Sequence, residues 1–287
     1  RLKATDHAAY TLNEKIGGID ALFFARDLLE RIDTDWLTIR QKIQTIHQKI
    51  ISQNGILVNL TAESSALKKV TPQVEQFVST LPICSNHPIQ LSKQTYPVSE
   101  ALIVPSRINF VGAAANLYEQ NYQMHGSALV ISRYLQTAWL WEKIRVQGGA
   151  YGGMCAFDQR VGTFTFASYR DPNLEDSIKI YQQTGQFLKD LKLDEAELTR
   201  SLIGAIGQLD AYMLPDSKSF TNAKRRLVGY TDTKRQQLRD EVLSTTQQHF
   251  NQFGEILDAA FRNPRVAVLC DQESAARAGL KTQTIVL

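Results

Sequence analysis

Apolar residues recur at helical spacing through most of this chain, and strands and turns are expected where that period fails. Along residues 18–32, Leu22, Ala25, Leu28, Leu29 and Ile32 fall on one helical face. Asp33 or Thr34 is placed to cap a second helix. In it Leu37, Ile39, Ile43, Ile46 and Ile50 lie close to one stripe, with Arg40, Lys42 and Lys49 elsewhere. Asn54-Gly55 marks a turn, and residues 56–62 (ILVNLTA) read as a strand from their run of apolar and β-branched side chains. The pattern lapses between 81 and 105, where Pro82, Pro88, Pro97 and Pro105 interrupt a polar stretch, and a linker between domains is predicted there.

Residues 101–115 read as one strand, and 121–145 return to helix through Leu129, Ile131, Leu135, Ala138 and Trp139. Residues 154–169 read as a hairpin turning at 158–162, because TFTFASY alternates. Helices follow, opened by Asn173, by Asp194 with Glu197 three residues on, by Asp216, by Thr231 and by Ser244. Residues 264–271 (PRVAVLCD) close the chain as a strand. Helix, late strand, acidic turn and Glu-Ser occur twice, near Gly55 and near Pro264, the pattern of two related domains.

Composition adds bounds. The chain has 287 residues, 43% hydrophobic and 21% charged, ordinary for globular domains with a sizeable core. A net charge of +3 selects no partner class. Three scattered cysteines, Cys84, Cys155 and Cys270, make no disulfide framework and point to a reducing compartment: cytoplasm, or an organelle matrix or stroma. No apolar run reaches the roughly 18 residues of a membrane span. The sequence opens on Arg1 without a start signal, so a fragment of a longer chain is expected.

Most familiar chemistry is missing. The histidines, His7, His47, His87, His125 and His249, form no zinc-protease motif. Cys84 and His87 have the spacing of half a zinc site, but no second pair exists at ligand spacing, so no metal site is expected. No nucleophile elbow is present, and Cys155 reads as a buried strand residue. The basic runs 224–227 and 233–239 read as solvated helix faces, lacking the interleaved aromatics of a nucleic-acid surface.

One stretch resists this bland reading. RVQGGAYGG, residues 145–153, sets Gly148, Gly149, Gly152 and Gly153 around Tyr151, directly after a helix ending in Arg145. It is neither a Walker loop nor a dinucleotide fingerprint. A helix end accounts for Gly148 as the residue beyond the cap, with Arg145 facing the helix dipole. The remaining glycines are unexplained by that alone. Tyr and Arg six residues apart can both donate to one carbonyl oxygen and stabilise charge developing on it.

WLWEKIRVQGGAYGGMCAFD, SYRDPNL (168–174), YMLPDSK (212–218) and GGIDALFFARDLLERIDTDW closely resemble the C-terminal region of presequence proteases, in the pitrilysin/insulinase group (peptidase M16) of inverted-motif zinc metallopeptidases. The resemblance covers essentially the whole chain. It implies an α+β fold, LuxS/metallohydrolase-like domains with a mostly antiparallel sheet packed by helices. It implies four such domains in two halves that close around unfolded peptides, with zinc in the first domain. Residues 1–85 would then end a third domain, 86–100 form a linker and 101–287 form the fourth. Arg145 and Tyr151 match the Arg and Tyr that the zinc-free half contributes to catalysis, and Gly148, Gly149, Ala150 and Gly152 would line the peptide. Zinc would be bound by the N-terminal half, not by this chain, so the chain alone is expected to be inactive; neither nucleic acid nor membrane is an expected partner. The competing reading is a non-catalytic scaffold or peptide-binding module of the same fold.

Overall fold

The computed structural model describes residues 1–84 and 90–284. His87 lies outside them, as do positions 86–89 of the expected linker. The helices are α1 (Ala8–Gly17), α2 (Ile19–Arg31), α3 (Trp36–Ile50), α4 (Ser64–Ser79), α5 (Ser127–Thr137), α6 (Leu174–Asp190), α7 (Glu195–Leu209), α8 (Pro215–Leu227), α9 (Asp232–Leu243), α10 (Gln247–Ala260) and α11 (Gln272–Arg277). The strands are β1 (Ser99–Ile103), β2 (Asn109–Asn116), β3 (Gly152–Asp158), β4 (Thr163–Asp171), β5 (Arg265–Cys270) and β6 (Lys281–Thr284). The chain forms two compact units, one of Arg1–Glu14, Ser92–Asp210 and Gln236–Leu287, the other of Lys15–Leu91 and Ala211–Arg235.

The first unit is built on one six-stranded sheet in the order β3-β4-β2-β5-β1-β6. The first four strands are antiparallel neighbours, while β1 runs parallel to both β5 and β6. This is the expected α+β class with a mostly antiparallel sheet packed by helices. The β3–β4 hairpin forms as its alternation predicts: Thr163, Phe164, Phe166 and Ser168 are buried, with half-exposed residues between them. Gly162 makes the turn at φ 78°, and a Cβ there would stand 2.5 Å from the Tyr118 ring. Phe166 stacks on Tyr181 of α6, centroids 5.1 Å apart, and meets Phe261 edge-on at 4.9 Å. Beside the sheet, Arg265 grips the Asp6 carboxylate with two 2.6 Å bonds.

Several expectations need correction. Residues 101–115 are two strands, because a turn at Pro105–Arg107 divides β1 from β2, and β1 begins at Ser99, inside the expected linker. Residues 56–62 are not a strand: their backbone has no ladder partner, and Ile56, Leu57, Val58 and Leu60 are exposed. Strand propensity needs a neighbouring edge to become a strand, and none is offered among the described residues of this unit. Neither Asp33 nor Thr34 caps α3; Asp35 precedes it without a side-chain bond. Asp194 and Glu197 do form the expected reciprocal box at the start of α7.

In the second unit, Ile39 and Ser52 are the buried positions among the described residues. The α3 stripe therefore lies mostly in solvent, with Leu37 72% and Ile50 71% exposed.

The α10 start carries a titratable cap. Thr246, not the expected Ser244, precedes the helix, and its backbone N–H donates to Nδ1 of His249 at 3.0 Å. His249 stacks on His125, centroids 4.7 Å apart, and His125 Nδ1 accepts from the Ser127 N–H at 3.2 Å. Protonation of His249 at Nδ1 removes the acceptor that the Thr246 N–H uses. Burial first, then His125, lowers the His249 pKa. Glu241 of α9 accepts from the Gly126 N–H, next to His125 in the chain, at 2.7 Å. A histidine with a depressed folded pKa binds fewer protons in the native state than unfolded. Its stability is complete above the unfolded value of about 6.5 and is lost as pH falls below it. The urea midpoint is expected to drop as the pH falls from 7 to 5. His249→Gln keeps an acceptor that does not titrate and should flatten that slope; an unchanged slope would refute the assignment.

Candidate active-site loop between a π-helical turn and an edge strand

Helix α5 stops at Thr137, and the chain resumes as a π-helical turn, Trp141–Gln147, rather than as one long helix. Single π turns widen the backbone and are frequent at functional sites. The turn ends with Gly149 N–H donating to Arg145 O at 3.0 Å and Ala150 N–H to Ile144 O at 3.1 Å, a nested pair of bonds each one residue wider than in a Schellman motif. The left-handed residue is Gly149, at φ 73°; Gly148, expected in that role, has φ −82°. Gly148 is needed for a different reason: a Cβ would stand 2.7 Å from Ile144 O. Its own carbonyl accepts from Asn173 Nδ2 at 2.5 Å, which ties the loop to the start of α6.

The other two glycines face the protein's own side chains. A Cβ on Gly152 would lie 2.7 Å from the Tyr169 ring, and one on Gly153 2.9 Å from Ile144 Cβ. Ala150 is 3% exposed and belongs to the core. What the loop offers outward is Tyr151, 55% exposed, leaning on Tyr169 with centroids 5.1 Å apart. Gly152, the next residue, starts β3, the edge strand of the sheet.

The structure brings the two singled-out side chains together. The Arg145 guanidinium carbon lies 5.7 Å from the Tyr151 ring centroid and 4.3 Å from that of Trp141. Among the described residues, neither the Arg145 guanidinium nor the Tyr151 hydroxyl has a hydrogen-bond or ion-pair partner. Sequence reasoning missed Arg170, whose guanidinium carbon is 5.5 Å from the same ring. Its signal was the SYRDPNL segment, quoted above only for its likeness.

Other nucleophile and metal chemistry recedes. Cys155 is buried and accordingly carries a strongly raised pKa, so its thiolate is disfavoured. Among the described residues no three His, Cys, Asp or Glu side chains converge as a metal site. None of their helices is long and apolar enough to cross a membrane. In the basic segments, Arg235 and Arg239 pair with Asp232 and Asp210.

Residues 99–271 match the family model of the PreP C-terminal domain. The chain belongs to this family. That span contains β1 through β5 and the whole Arg145–Tyr151 loop. The chain is 39% identical over 269 residues to presequence protease 1, chloroplastic/mitochondrial, of Arabidopsis thaliana, covering 93% of this chain and 25% of that protein. It is 28% identical over 247 residues to the mitochondrial presequence protease of Saccharomyces cerevisiae, covering 82% and 25% respectively. It is 23% identical over 273 residues to protein HypA of Clostridium perfringens, covering 94% and 27%. The PreP C-terminal chain thus spans about a quarter of the length of these relatives. An inactive domain of peptidase M16 from Pseudomonas fluorescens shares the fold, with a TM-score of 0.51 at 10% identity, covering 78% of this chain and 53% of that one.

Proposed function

We propose that this chain is the C-terminal piece of the zinc-free half of a presequence-protease-like endopeptidase that degrades unfolded peptides such as cleaved targeting peptides. It supplies Arg145 and Tyr151 to an active site completed by a zinc-containing N-terminal half. The observation that carries this reading is the pairing of an exposed phenol with a guanidinium, 5.7 Å from ring centroid to Cζ, on a loop rigidly closed beneath them. The described residues offer no metal site, so every step assigned here belongs to side chains of this chain. Tyr151 donates its O–H to the carbonyl oxygen of the scissile bond as negative charge develops there. Arg145 holds the peptide backbone carbonyl and shares that charge through its fork of N–H donors. Gly148, Gly149 and Gly152 offer backbone to the peptide path, the space where a Cβ would stand being already filled at Gly148 and Gly152, while the buried Ala150 backs them from the core.

Residues 1–85 are proposed as the end of a third domain, 86–100 as a linker and 101–287 as the fourth domain. The match beginning at 99 and the solvent-facing α3 stripe support that division. A reducing soluble compartment is proposed from the free thiols, and two relatives bear organellar names.

The test places this chain in a presequence protease from which the matching C-terminal quarter has been removed, as a mixture or a fusion. The chain alone is expected to cleave nothing, and the reconstituted enzyme to cleave unfolded peptides. Arg145→Ala should lower kcat/KM about 10–100-fold, the worth of a hydrogen bond to a charged group. Folded Arg145→Ala with undiminished cleavage would sink the catalytic role and leave the scaffold module as the better reading.

A further inference from the structure

We propose that Arg170 is a positioning residue that holds the Tyr151 ring in its working orientation, a reading that rests on the role given to Tyr151 above. Arg170 stands at an irregularity of the sheet. β2 pairs Asn109 with Asp171 and Phe110 with Tyr169, so Arg170 is the extra residue of a β-bulge. Its φ is +50°, left-handed backbone that disfavours any residue with a Cβ other than Asn or Asp. Glycine or asparagine would occupy this point with less strain, so a long cationic side chain needs a reason beyond the bulge.

The surroundings over-determine the bulge. Asp171, 1% exposed, accepts from the Ser168 hydroxyl, from the Ser177 hydroxyl at 2.6 Å and from the Asn173 N–H at 2.8 Å. Its carbonyl accepts from Asn109 Nδ2 at 2.8 Å. The Arg170 carbonyl in turn receives the Tyr151 N–H at 3.4 Å, so both backbone and side chain of Arg170 reach Tyr151. Arg170 is exposed and, among the described residues, has no carboxylate partner. Its contact is the phenol ring, which carries Arg145 at a similar distance. Two guanidiniums and Tyr169 thus bound an otherwise free ring.

The test is a double-mutant cycle in the reconstituted two-half enzyme. Arg170→Asn suits left-handed backbone and removes the cation. It should leave the Tm of this chain unchanged or higher while lowering kcat about fivefold at constant KM. Arg170→Lys, which restores a cation, should recover most of that loss. In a Tyr151→Ala background, Arg170→Asn should change kcat no further. In the isolated chain with ring-labelled tyrosines, Arg170→Asn should shift the Tyr151 signal, assigned by its disappearance in Tyr151→Phe. An Arg170→Asn enzyme with wild-type kcat overturns the proposal, as does an equal loss in the Tyr151→Ala background. If Tyr151→Phe and Arg145→Ala are themselves silent, the reading of the site fails first, and the unmoved or moved Tyr151 signal still decides the contact.

Discussion

Tyr151→Phe in the reconstituted enzyme is expected to lower turnover about 10²–10³-fold, with little change in KM or in the stability of this chain. The substitution removes one oxygen. That oxygen has no partner among the described residues, so no internal bond is broken by its loss. The ring contact with Tyr169 and the neighbouring guanidiniums depends on the aromatic face, which Phe retains. A donor that engages only as charge develops on a carbonyl oxygen affects kcat and not ground-state binding. Removing one such donor corresponds to about 2.7–4 kcal/mol of barrier. Steady-state kinetics on a quenched peptide, with thermal melts alongside, checks this. A tenfold rise in KM at constant kcat would instead mark Tyr151 as a peptide-binding residue.

The second large effect is structural. Gly185→Ala is expected to destabilise this chain by about 3 kcal/mol, the upper end of overpacking costs. Helices α6 and α10 cross at Gly185 and Gly254. A Cβ on Gly185 would stand 2.3 Å from Asp258 N and 2.6 Å from its Cα. One on Gly254 would stand 2.8 Å from Gly185 O. These obstacles are backbone, so the helices must separate rather than a side chain swing aside. The separation reaches Tyr181 of α6, whose ring stacks on Phe166 beneath the sheet. Gly207 on α7 is the control, since a Cβ there meets nothing within 4 Å. Gly207→Ala should stabilise by about 0.5–1 kcal/mol through the unfolded chain and helix propensity. Equal urea midpoints for the two variants would refute the close-crossing explanation.

Much of the first unit was legible from residue order. The hairpin 154–169 followed from alternation plus Gly162, and the box at Asp194 and Glu197 from spacing alone, because both depend on neighbours within a few residues. The loop around Tyr151 was visible for the same reason, as glycine at four of six positions between 148 and 153 has few local explanations. The uses of those glycines were not. Gly152 and Gly153 make room for Tyr169 and Ile144, one from a paired strand and one from the preceding turn.

Sequence by itself determined the helical period, the hairpin, the family resemblance and the Arg145–Tyr151 pair. These are properties of local spacing or of a motif carried whole. Tertiary structure alone decided that residues 56–62 remain unpaired, that the α3 stripe faces solvent, and that Arg170 joins Tyr151 from a bulge nineteen residues away in the chain. Strand formation requires a partner edge, burial requires a facing surface, and a bulge exists only relative to the register of the strand beside it. None of these partners is written in the segment that depends on it.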